Sequence, residues 1–178
     1  TDSVTKTVAD FYSVKPFPNY DNNETKYSIL NKGDKNLLAK QFKNLIGFKK
    51  NVLEVGSGTS QLSIYLSIGT NNEIFALDPT LESLKLGKNF AQKNNIKNVN
   101  FVNADIFDDV LNKNTFDFIW CNGVLHHTKD PQNAFKIVLN SLKKDGFIVI
   151  GLYNKIGRIR TIVRKFFYKI FGKKFLLL

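Results

Sequence analysis

Short apolar runs alternate with amphipathic stretches along this chain, and their periods predict strands alternating with helices. Leu38, Phe42, Leu45 and Ile46 share one helical face and predict a helix over 34–46, leading into a strand at Asn51–Val55. A glycine turn follows, then a helix from about Gln61 to Ser67 that stops near Gly69. Residues 73–77 read as a second strand, and Thr80 as the N-cap of a helix running to about Asn94. Val99–Asn103 and residues 116–121 are the third and fourth strands. Asp130-Pro131 has the cap-and-first-turn signature of a helix start, with Ala134, Phe135, Val138 and Leu142 on the buried face. Asp145-Gly146 breaks that helix before a fifth strand over 147–152.

Strands that alternate with helices at this spacing imply right-handed crossovers and a mostly parallel sheet, an α/β fold. Ligands of such sheets bind outside the carboxyl ends of the strands, where the strand order reverses. The residues at those ends therefore carry the candidate chemistry.

The first strand ends in Glu54-Val55-Gly56-Ser57-Gly58-Thr59. Gly56 and Gly58 let the backbone turn tightly and approach a ligand closely, while the following helix offers its free N–H groups. A dinucleotide fingerprint would set a third glycine at position 61, which is Gln61 here. Glu54 would also repel a pyrophosphate, whereas it suits a ligand carrying an ammonium and a sulfonium cation. Asp78, ahead of Pro79, can accept from both hydroxyls of a ribose. Asp105 can accept from an adenine amino group, with Ile106 against the ring. Each acid has a plainer reading: Glu54 as a capping acid, Asp78 as a turn residue, Asp105 as an N-cap.

These motifs, continued by Phe116-Asp117-Phe118-Ile119-Trp120-Cys121-Asn122-Gly123-Val124-Leu125-His126-His127, resemble the successive motifs of class I methyltransferases over roughly residues 35–152. The segment Asn122 to Thr128 is similar to that of the small-molecule, type 11-like group within that class. The resemblance implies a Rossmann-like three-layer sandwich that binds S-adenosyl-L-methionine. Glu54, Gly56, Ser57, Gly58 and Asn122 would contact the cofactor, Asp78 and Pro79 the ribose side, and Asp105 and Ile106 the adenine. His126 and His127, the only histidines, follow the fourth strand where an acceptor should meet the methyl group. One of them is the candidate general base or acceptor ligand, and the alternative is a histidine packed at a helix start.

Residues 1–33, with the aromatic, proline-stiffened stretch from Phe11 to Tyr20, read as a lid or a strap ahead of a cofactor-binding domain over 34–155. Residues 156–178 form a basic amphipathic segment, with Ile159, Ile162, Val163, Phe166 and Ile170 on one helical face. It suits a membrane surface, an anionic substrate or packing within the protein. The two further strands of complete class I folds have no candidate here, so this segment reads as the start of a missing C-terminal part.

Net charge is +11, yet most interior lysines stand singly on predicted helix surfaces. The charge allows a nucleic-acid partner, but interleaved aromatic and basic residues are lacking at the site, which favours a small-molecule acceptor over RNA. A cofactor-binding module without turnover is the other alternative. The single cysteine, Cys121, has no paired Cys/His spacing around it, so no metal site is expected. No apolar run approaches membrane length, and a cytoplasmic location is the default expectation.

Overall fold

A computed structural model describes residues 7, 10, 12–14, 16–21 and 23–152. Five strands form one sheet in the order β3-β2-β1-β4-β5, comprising β1 (Asn51–Val55), β2 (Glu73–Asp78), β3 (Val99–Asn103), β4 (Phe116–Asn122) and β5 (Leu142–Gly151). Every pairing is parallel. The chain moves outward from β1 to β3 and then returns to place β4 on the other side of β1, so the order reverses between β1 and β4. The expected α/β architecture is the one observed.

Alternate strand residues point to opposite faces, and both faces are covered. On one, Val52, Ile74, Ala76 and Trp120 pack with α1 (Lys26–Lys35), α2 (Leu37–Ile46), α3 (Gln61–Ser67) and Phe90 of α4 (Leu81–Lys93). On the other, Leu53, Val55, Leu77, Ile119 and Cys121 meet Ala134 and Val138 of α5 (Pro131–Ser141). Three layers result.

Several expected boundaries move. The helix predicted over 34–46 is two helices, because the Asn36 side chain accepts from Ala39 N at 3.1 Å and caps α2 while the backbone turns extended. The buried stripe of α2 is Ala39, Phe42 and Ile46, and Leu38 and Leu45 are 49% and 55% exposed. Thr80 occupies the N-cap position of α4 but makes no side-chain capping bond. Asp78 and Asn122 extend β2 and β4 by one residue each.

The largest shift is at β5. Leu142 leaves the helix and starts the strand, and the register jumps from Phe116↔Leu142 to Phe118↔Phe147. Residues 143–146 thus stand against Asp117 alone, so Asp145-Gly146 marks a bulge inside the pairing, not a break before the strand. Lys143 Nζ donates to Asp117 Oδ1 at 2.9 Å and ties the bulge down. The basic segment expected over 156–178 lies outside the described residues.

Gly87 sits in the middle of α4, where alanine is ordinarily favoured by about 1 kcal/mol. A Cβ at this position would come within 2.5 Å of the Thr59 carbonyl oxygen and 3.0 Å of the Phe101 ring. Gly87→Ala is therefore expected to lower the urea midpoint, since overpacking against a backbone atom costs about 1–3 kcal/mol, and a raised midpoint would refute this close approach.

Candidate functional site

The site grows from the loop between β1 and α3, at the reversal point. Within five positions it holds three residues in the left-handed region, Gly56 at φ 70°, Gly58 at φ 53° and Ser60 at φ 62°. Gly56 N and Ser57 N both donate to the Leu77 carbonyl, at 2.8 and 3.0 Å, which binds the loop to the end of β2. The backbone at Gly56 runs so close to Val124 that a Cβ there would overlap its side chain. Ser57 Oγ and Ser60 Oγ lie 3.2 Å apart behind the loop.

The three acids take different environments. Glu54 is buried, and its Oε2 accepts from Ser63 N at 2.8 Å and from Ser63 Oγ, capping the first turn of α3. Burial pushes its pKa up to about 7 despite the Ser63 donors, with Asp78 adding to the rise. Asp78 Oδ2 accepts from Gly58 N at 2.7 Å and Oδ1 from Thr80 N at 2.8 Å, so this carboxylate braces the loop and the entry to α4. Burial raises its pKa as well, against those two bonds. Asp105 Oδ1 accepts from Phe107 N at 3.2 Å, whereas its Oδ2 is buried and has no hydrogen-bond partner among the described residues.

A cleft of about 410 Å³, counted with its open mouth, lies at the strand ends. Of the residues singled out in the sequence, Gly56, Pro79, Asp105, Ile106 and His127 line it. Glu54, Ser57, Gly58, Asp78, Asn122 and His126 are not in its wall. Leu77, Val124 and Thr128 line it too and were not singled out; the apolar period marked Leu77 as core, and nothing in the local pattern separates Val124 from a packing valine.

The two histidines part company in the short 3₁₀ turn Leu125–His127. Their rings lie 4.2 Å apart, His127 at the cleft and His126 with both ring nitrogens buried. One sequence position turns the neighbour inward.

Residues 47–170 match the family model described as "Methyltransferase domain". The chain belongs to this family. It is 29% identical over 103 residues to the uncharacterized methyltransferase YcgJ of Bacillus subtilis, an alignment covering 57% of this chain and 40% of that protein. In fold it is similar to a SAM-dependent methyltransferase from Aquifex aeolicus, with TM-score 0.57 and 23% identity over 74% of this chain and 72% of that one. It is likewise similar to the [4+2]-cyclase SpnF, with TM-score 0.66 and 16% identity over 82% of this chain and 59% of that one. The alignments span between 26% and 50% of the length of the curated relatives matched. No helix among the described residues is long and apolar enough to cross a membrane.

In this methyltransferase-family domain the raised Glu54 pKa fixes the sign of a pH effect. A carboxyl that holds its proton from its ordinary 4.5 up to about 7 in the folded state makes stability fall as pH rises through that window, because the folded form binds more protons than the unfolded. Glu54→Gln keeps the acceptor for Ser63 and removes the titration. Urea midpoints of this variant are expected to fall less than wild type between pH 5 and pH 7; equal pH slopes would show that Glu54 ionises normally.

Proposed function

We propose that this domain binds S-adenosyl-L-methionine in the cleft and that the protein transfers its methyl group to a small-molecule acceptor. The observation that carries the reading is Asp105, which lines the cleft beside apolar Ile106, Leu77 and Val124 and whose buried Oδ2 has no donor among the described residues. A buried acceptor of this kind is costly until a ligand donor reaches it. An adenine ring presents an amino donor at the edge of a flat apolar body, which fits that wall, and family membership supports the same cofactor class.

When bound, S-adenosyl-L-methionine supplies an electrophilic methyl group on a sulfonium. The chain's own residues bind, align and shield. Gly56, lacking a side chain, lets Val124 pack against its backbone in the cleft wall, and Asp105 orients the adenine end. Leu77, Ile106 and Val124 exclude water, which suits a displacement whose charged reactant becomes neutral. Glu54 and Asp78 act from behind, holding the starts of α3 and α4 and the loop between β1 and α3. Of the two histidines, His127 lines the cleft, which supports it as the one that meets a proton of the acceptor. Among the described residues no lysine lines the cleft, which supports a small molecule over RNA despite the net charge of +11.

Calorimetric titration of the purified chain with S-adenosylhomocysteine, and with NAD in parallel, tests this. Micromolar-range binding of the former alone is expected. Asp105→Ala should weaken it by about tenfold or more, the scale of a lost hydrogen bond to a charged acceptor, and Gly56→Val should abolish it. A folded wild-type chain that binds NAD instead, or neither ligand, would overturn the reading.

A further inference from the structure

The loop carrying Gly56 is held on two sides, and only the inner side was legible from its motif. On the inside are the Leu77 carbonyl and Asp78. On the outside lies the stretch Pro16 to Tyr20, far away in sequence. Tyr20 Oη donates to the Thr59 carbonyl at 2.8 Å, Thr59 Oγ1 donates to the Pro18 carbonyl, and Gln61 Nε2 donates to the Asn19 carbonyl at 2.9 Å. The Phe17 carbonyl is seated against Gly58, where a Cβ would collide with it. The Tyr20 ring stacks on Phe90 of α4, with centroids 4.7 Å apart and planes 19° apart.

We propose that Tyr20 is a positioning residue for cofactor binding, acting through the Thr59 carbonyl; this rests on the cofactor class assigned to the cleft above. Alternating left-handed residues, one of them the non-glycine Ser60, make a conformation that persists only when its surroundings over-determine it. The Thr59 carbonyl is where that happens. It receives the Tyr20 hydroxyl on one side and faces Gly87 of α4 on the other, and Tyr20 is itself fixed to α4 through Phe90. Rotating the Thr59 peptide would move Gly58, whose N–H meets Asp78, and with it the Gly56 backbone in the cleft wall. Burial, with Glu24 and Glu54 nearby, holds the Tyr20 phenol far above its ordinary pKa, so the hydroxyl stays a donor throughout the neutral range. Of the two readings of this stretch, lid or strap, the contacts of residues 16–20 favour a strap.

Tyr20→Phe keeps the ring and its stacking and removes only the donor. Titrated with S-adenosylhomocysteine well below its unfolding temperature, it is expected to bind about fivefold more weakly than wild type, the scale of one neutral hydrogen bond. Amide hydrogen exchange of residues 56–60, followed without ligand, should quicken. Thr59→Val, which removes the tether to Pro18, should act in the same direction and less than additively with Tyr20→Phe, because both hold Thr59. A purely structural role would lower the unfolding temperature of Tyr20→Phe and leave affinity and loop exchange unchanged, and that result overturns the proposal. A wild-type chain that binds no S-adenosylhomocysteine overturns the cofactor reading instead, and quickened loop exchange would still support the strap's hold on the loop.

Discussion

The Leu77 carbonyl is the point on which this site depends. It accepts from both Gly56 N and Ser57 N, and so fastens the first turn after β1 to the last residues of β2. Parallel pairing of β1 with β2 puts Val55 opposite Leu77, so the sheet register itself delivers the acceptor to the loop. Asp78, one residue further on, receives Gly58 N and the entry to α4. A shift of register by one residue would carry the Leu77 carbonyl away from Gly56 N and Ser57 N and release the turn.

The polar groups around this turn divide by their partners. Glu54 and Asp78 have theirs within the protein, at the first turn of α3 and at the loop, and burial raises the pKa of both. Asp105 lines the cleft and keeps one buried oxygen without a partner among the described residues. Two acids therefore build the frame and the third lines the cleft, although all three stand at strand ends and look equivalent in the motif order. Buried polar atoms in native folds are almost always paired, so an unpaired oxygen on a cleft-lining residue is a natural place for a ligand donor.

Fold similarity by itself does not select the reaction. The same architecture is shared with a SAM-dependent methyltransferase and with a [4+2]-cyclase, as expected when function resides in grafted side chains. For this chain family membership gives the class, and the wall of the cleft brings together a carboxylate, apolar side chains and a histidine.

The sequence by itself determined the order of strands and helices, the α/β class, the glycine turn and the residues at the strand ends, because these follow from local period and from turn chemistry. The short apolar run Ile119 to Cys121, set between turn residues, fits a strand buried on both faces, and it is buried. The tertiary structure alone decided which strand-end acid faces the cleft, which of two adjacent histidines reaches it, and that Asp145-Gly146 is a bulge. It also brought Tyr20 to Thr59, 39 positions away. Such facts depend on side-chain direction and long-range hydrogen bonds, which hydrophobic spacing does not encode, since one residue of rotation in a turn exchanges an inward for an outward side chain.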